Sequence, residues 1–300
     1  MKRVLTAVVL VPLVLLVVFK APLWLFALVV ALVMVLALQE YLNISKAYGI
    51  QPMPWATYGF SLLLILTAFA NAEIQVFAAH PWVTLLFREW TLLLCMSLVF
   101  GIPAVFRSDM RMALAASAVS AFGALYVTAP LAILIFFRRE PSQAIFLIFI
   151  LLSVWAGDTA AYYVGRSIGR HKLARIVSPN KTWEGAIASV LASIGVAILV
   201  FHFEVSIESW FSRPKFSFYT PLGTPPAPSV AYLVILGLVA NIAAQLGDLF
   251  ESALKRGAQL KDSGSLLPGH GGILDRIDAL LFAIPAVWYY ATFHAYFFEG

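Results

Sequence analysis

The chain has 300 residues, of which 62% are hydrophobic and 12% charged, with a formal net charge of +5 and a mean hydropathy of +0.90. Soluble domains carry about 25% charged residues, so this chain lacks the polar side chains to coat a water-facing surface and reads as an integral membrane protein. Nucleic acid is excluded as a partner by the lack of a basic face interleaved with aromatics, and a disulfide framework or multi-cysteine metal site by the single cysteine, Cys95.

The fold class expected is an all-α, polytopic membrane protein. Barrel strands would alternate apolar and polar residues over about ten positions, and no such alternation occurs. Lys2-Arg3 and the apolar run 4–19 resemble a secretory signal, but no small-x-small cleavage site follows and a second run begins at once. We read it as an uncleaved first span, turning at Lys20-Ala21-Pro22 into the second. The predicted spans are 4–19, 22–38, 55–71, 90–105, 113–137, 143–164, 185–203, 230–250 and 277–297, nine in all. Tyr41, Trp55, Trp90, Trp183 and Tyr289 lie near span ends, as interfacial anchors do.

Alternation of these spans puts fourteen of the twenty Lys and Arg on the side of the N-terminus and six on the other. The positive-inside rule then predicts a cytoplasmic N-terminus and a periplasmic or outside C-terminus. The polar loops 165–184 and 251–276 would both face the cytoplasm. The Pro-rich loop 213–228 would lie outside and carries no assigned chemistry. Residues 1–110 read as a transmembrane scaffold or dimer surface, and 111–300 as the catalytic region.

The polar residues concentrate between Gly247 and Asp278. Ionisable groups beside apolar spans are costly to keep, which makes them a candidate site. At about 100° per residue, Asp248, Ser252 and Lys255 share one helical stripe; a solvated membrane-edge face would look the same. Asp275 and Asp278 share a face at the start of the last span, where helix-dipole partners also sit. Gly269, Gly271 and Gly272 before them can expose N–H groups and, with a helix N-terminus, form an anion cradle. His270 could donate to a phosphate or to a leaving oxygen, or be a structural loop histidine. A polyphosphate beside aspartates needs a divalent cation, and Mg²⁺ takes oxygen ligands.

The second polar stretch runs from Gly157-Asp158-Thr159 to Ser178-Pro179-Asn180-Lys181-Thr182-Trp183-Glu184-Gly185. Ser178-Pro179 has the form of a helix N-cap followed by proline at the first helical position. Gly165 and Gly169 have the spacing of a close helix contact. His80, His202 and His294 are dispersed and make no metal-ligand spacing. No Walker loop, Gly-x-Ser-x-Gly elbow or His-Glu-x-x-His run occurs.

The run from Ser252 through Lys255-Arg256, Lys261-Asp262, Gly264 and Leu267-Pro268-Gly269-His270-Gly271-Gly272-Ile273 to Asp275-Arg276-Ile277-Asp278 resembles the signature of the phosphatidate cytidylyltransferases, also called CDP-diacylglycerol synthases. Asp158-Thr159 and Ser178 to Gly185 are similar to the same family's upstream motif. The resemblance implies an enzyme of phospholipid biosynthesis that converts CTP and phosphatidate to CDP-diacylglycerol and pyrophosphate, with Mg²⁺. It places Asp248 and Asp275 on the metal, as one cation or two, with Asp278 as a third ligand or behind them. Lys255, Arg256 and Lys261 would hold the triphosphate or the lipid phosphate, and His270 with Gly271 and Gly272 the pyrophosphate. Asp158, Ser178, Asn180, Lys181 and Glu184 would complete the substrate site, with Ser252, Asp262 and Arg276 beside them. A homodimer is expected on the same ground, and the Lys and Arg count predicts an active site facing the cytoplasm in an inner or plasma membrane. The rivals are a CTP-dependent polyprenol kinase and a lipid transporter. A transporter would more naturally carry its ionisable groups at mid-bilayer.

Overall fold

The computed structural model describes residues 12, 14–18, 20–73, 89–107, 109–139, 141–204, 206–207, 228–266 and 271–298. Most of the first predicted span, His270 and Gly269, and nearly all of the Pro-rich loop fall outside them. Helices dominate: α1 Leu23–Ala47, α2 Pro54–Glu73, α3 Glu89–Val105, α4 Ala113–Gly123, α5 Ala129–Arg139, α6 Pro141–Ile168, α7 Trp183–His202, α8 Val230–Gly257 and α9 Leu274–Phe298. A two-stranded antiparallel sheet, β1 Lys172–Ala174 and β2 Ser178–Thr182, is the exception. Among the described residues six helices are long and apolar enough to cross a bilayer, one of them the composite 30-residue helix Met110–Arg139. They match the second, third, fifth, sixth, seventh and eighth predicted spans. The fourth is a shorter apolar helix, Cys95–Val105, and the ninth lies within the 25-residue α9, which contains Pro285. The chain is a polytopic helical membrane protein.

The described residues of Ala21–Arg139 and Ala253–Ile277 form one compact unit, and those of Glu140–Ser252 and Asp278–Gly300 a second. Helices α8 and α9 each give residues to both.

In the first unit α1 has two apolar faces, as a helix in contact with lipid must. Trp24, Leu28 and Leu32 recur every fourth residue on the exposed face, while Met34, Ala37, Leu38 and Tyr41 are buried. With no hydrophobic force to join helices in lipid, polar contacts and close packing do so. The Tyr41 hydroxyl donates to the Val119 carbonyl at 3.1 Å, and the Thr128 hydroxyl to Ser61 Oγ at 2.9 Å. Phe60 meets Phe100 edge-on at 5.7 Å. Helices α4 and α5 are joined by a π-turn, Ala124–Thr128, just ahead of Pro130, whose missing N–H removes a rung of the ladder. Loop contacts respect the alternation of sides. Arg107 donates to the Gln51 carbonyl and Tyr48 to that of Leu254, while Arg138 reaches Ala21 and Arg139 reaches Asn71.

In the second unit α6, α7 and α8 pack through small residues. A Cβ at Gly157 would lie 2.7 Å from Ser189 Oγ and from Asn241 Nδ2, and one at Gly237 would lie 2.7 Å from the Ile194 backbone. The expectation that Ser178-Pro179 opens a helix is corrected. Both residues lie in β2, paired with β1 (Ala174 opposite Ser178, Lys172 opposite Thr182). The cap is Thr182, extended at φ −128° and ψ 154°, whose hydroxyl accepts from the Gly185 N–H. Four more residues of chain are thereby freed from the helix to pair with β1, and the buried Thr182 hydroxyl supplies the cap instead.

Candidate active site

The second unit contains an open cavity of about 590 Å³ at the end of α6, α7 and α8, lined also by the two strands. Asp158, Tyr162 and Arg166 line it from α6, Lys172 from β1, Asn180 and Lys181 from β2, and Asn241, Gln245 and Asp248 from α8. Three cations and two carboxylates thus line a space large enough for phosphate groups. Lys181 Nζ and Asp248 Oδ2 are 2.5 Å apart, and both side chains keep about a third of their surface open. Ser252 donates to the other Asp248 oxygen at 3.4 Å. Arg166 donates to the Tyr162 hydroxyl at 2.8 Å.

Below these charges a polar ladder descends into the spans. Asn241 Nδ2 donates to Ser189 Oγ at 2.9 Å and to Ser193 Oγ at 2.7 Å, and Ser193 donates to the Ser153 carbonyl. Gln245 donates to Asn241 Oδ1 at 2.5 Å. Reading the sequence motif by motif missed Asn241 and Gln245. The signal was present: Asn241, Gln245, Asp248 and Ser252 recur at intervals of 4, 3 and 4 along α8, a polar stripe on one face.

The same unit holds Glu184 away from the cavity lining. Its carboxylate takes His171 Nδ1 at 2.7 Å and the His171 N–H at 3.2 Å, so it ties the start of the sheet to α7. Ser178 lies on β2 but is not a lining residue, and Asp278 Oδ1 accepts from the Ala279 N–H at 2.8 Å.

The first unit contains the other polar cluster. Here Lys255 is ion-paired with Asp275 Oδ1, with both side chains about nine-tenths buried. The second Asp275 oxygen accepts from the N–H groups of Gly272 at 2.8 Å and Ser263 at 3.0 Å. Burial works to raise this carboxyl, but the Lys255 ammonium and the Gly272 and Ser263 N–H groups outweigh it and hold Asp275 below the usual carboxylate range. Gly271 takes φ +77°, and a Cβ there would sit 2.5 Å from Asp275 Oδ2. That is a left-handed turn with no room for a side chain. Lys261, Asp262 and Arg276 are exposed, and Arg256 reaches the Leu260 carbonyl at 3.4 Å. The loop's deepest partner is Glu40 of α1, which accepts from Ser263 Oγ at 2.7 Å, the Ile273 N–H at 2.9 Å and the Leu274 N–H at 2.8 Å. Nothing in the local sequence around Glu40 points to this role.

Among the described residues no three His, Cys, Asp or Glu side chains group as a metal site. The cavity still fits a hard cation. Asp158 and Asp248 offer carboxylate oxygens and Asn180 an amide oxygen, and Mg²⁺ bound with nucleotides commonly takes one or two carboxylates and completes its shell with phosphate and water.

Residues 1–294 match the cytidylyltransferase family. The chain is 32% identical over 290 residues to a phosphatidate cytidylyltransferase of Synechocystis, covering 90% of this chain and 89% of that protein. Enzymes of the same name from Haemophilus influenzae (36% over 158 residues, 52% of this chain and 49% of the relative) and Bacillus subtilis (38% over 136 residues, 45% and 43%) are also similar. In these two alignments the chain spans about half the length of the relative or slightly less.

Proposed function

We propose that this chain, which belongs to the cytidylyltransferase family, transfers the cytidylyl group of CTP to phosphatidate, giving CDP-diacylglycerol and pyrophosphate for phospholipid synthesis. The observation that carries the reading is the cavity at the end of three helices, where Arg166, Lys172 and Lys181 face Asp158 and Asp248. A phosphate-bearing lipid approaches such a site from the membrane and a nucleotide from water.

The phosphatidate monoester is already an anionic nucleophile. One of its oxygens attacks the α-phosphorus of CTP in line, the bond to the β-phosphate oxygen breaks, and pyrophosphate leaves without a general base. The enzyme's part is positioning and neutralisation of charge. Lys181 exchanges Asp248 for a phosphate oxygen when substrate enters, and Arg166 and Lys172 hold further oxygens. Asn180 and the Asn241–Gln245 pair offer the directed donors and acceptors that a base or a headgroup requires. Lys255, Arg256 and Lys261, with Gly271 and Gly272, are assigned to the triphosphate by the resemblance of the signature alone. Asp248, with Asp158, would hold Mg²⁺, which would neutralise charge on the triphosphate. Asp275 and Asp278 as further ligands, a second cation, and His270 as a donor to pyrophosphate rest on the resemblance of the signature alone. The excess of Lys and Arg on one side supports a site facing the cytoplasm in an inner or plasma membrane. A homodimer rests on resemblance, and native mass measurement in detergent reads it.

The deciding experiment supplies labelled CTP and phosphatidate to the detergent-solubilised chain, with and without Mg²⁺. Labelled CDP-diacylglycerol and pyrophosphate, formed only with Mg²⁺, are expected. CDP with a phosphorylated alcohol would indicate a lipid kinase, and solute movement without pyrophosphate a transporter. Either outcome overturns the reading.

A further inference from the structure

We propose that Glu40, in the N-terminal helix α1, is a positioning residue for CTP: it sets the shape of the loop segments 261–266 and 271–275. Three bonds hold it there. Ser263 Oγ and the Leu274 N–H donate to Oε2 at 2.7 and 2.8 Å, and the Ile273 N–H donates to Oε1 at 2.9 Å. Two of these N–H groups lie at the open N-terminus of α9, which has no partners of its own for them. Glu40 therefore does from a distant helix what an N-cap side chain does locally, with a full charge at the positive end of the helix.

The loop is shaped around this carboxylate. A Cβ at Gly272 would lie 2.2 Å from Glu40 Oε2, and one at Gly264 would lie 2.5 Å from Oε1. These two glycines approach the carboxylate as no other residue could. Ser263 passes the contact on, since its hydroxyl also accepts from the Asp275 N–H at 3.3 Å and its own N–H donates to the Asp275 carboxylate. Asp275 in turn holds Lys255. Glu40, Ser263, Asp275 and Lys255 form one connected chain. Only 7% of Glu40 is exposed, so it touches no substrate and acts through the loop. A rigid shell behind directly acting groups is worth about 10–100-fold in affinity or activity.

The inference rests on the proposed reaction, in which this loop holds the triphosphate. Glu40→Gln keeps the side-chain volume but turns one acceptor into an NH₂ group that faces an N–H. In full-length protein we expect the KM for CTP to rise about tenfold or more while that for phosphatidate stays within about twofold. Trypsin cleavage after Lys261 should accelerate about tenfold as the loop opens. A loss of folded enzyme would instead lower kcat and leave both KM values alone, and that result overturns the proposal. So does an unchanged CTP KM with unchanged cleavage. If Glu40→Gln does not accumulate, Ser263→Ala removes one of the three bonds, and a CTP KM that rises less than about twofold in it is equally fatal. Wild-type chain that forms no CDP-diacylglycerol overturns the reaction, while the cleavage comparison still reports whether Glu40 holds the loop.

Discussion

Asp248 and Asp275 look alike in the sequence and differ in their surroundings. Asp248 keeps about a third of its side chain open and pairs with Lys181, which is itself partly open. Asp248→Asn should therefore leave the fold intact and remove turnover, read as CDP-diacylglycerol formed per folded protein in detergent. Near-normal product would remove its assignment to the metal. Asp275→Asn is a less clean test. It leaves the nine-tenths buried Lys255 without its counter-charge, a change that costs about 3 kcal/mol where an ion pair is dry. The sign of the pH effect follows from the lowered carboxyl. Asp275 stabilises the folded chain fully above the ordinary aspartate pKa of about 3.9, and the contribution is lost as pH falls below it through the lowered value. Melting curves taken from about pH 5 to pH 3 should lose more stability in wild type than in Asp275→Asn. Equal losses would mean that the carboxylate is not held as described. Gly271→Ala meets both a positive φ and the Asp275 carboxylate, and should cost at least the roughly 1–2 kcal/mol of a left-handed residue.

Single elements show how much depends on a few polar groups. Helix α7 begins where the Thr182 hydroxyl accepts from Gly185, and Thr182→Ala should cost about 1 kcal/mol in thermal or denaturant melts. No change would place the cap elsewhere. Along α8, Asn241 is bonded to two serines of α7. Hydrogen bonds between helices in lipid average about 0.6 kcal/mol, with a maximum near 1.7, so Asn241→Leu should weaken the second unit modestly. Its effect on the KM for substrates should be larger in proportion, because Asn241 also lines the cavity. These elements also show the limit of local reading. Ser178-Pro179 has every local mark of a helix start, yet pairing with β1 drew it into a strand. The stripe Asn241, Gln245, Asp248, Ser252 was legible by period and became meaningful only once α6 and α7 stood opposite it.

For the whole molecule, topology makes the strongest prediction. A membrane-impermeant maleimide should label a cysteine placed at Ser178, in a Cys95→Ser background, only after intact cells are opened. Labelling from outside would reverse the orientation and move the proposed nucleotide site away from cytoplasmic CTP. The contacts of Arg107 with Gln51 and of Arg138 with Ala21 join loops that the alternation assigns to the same side.

Class, six of the nine predicted spans and four residues of the cavity lining (Asp158, Asn180, Lys181 and Asp248) were legible in the sequence alone, because transfer into lipid depends on the composition of about twenty neighbouring residues and the polar motifs occupy short continuous runs. Pairing was decided only in three dimensions. Glu40 meets Ser263 across 223 positions of chain, Lys181 meets Asp248, and Lys255 turns back to Asp275. A buried charge takes whichever partner the packing of helices brings within reach, and no period or spacing in the chain records that choice.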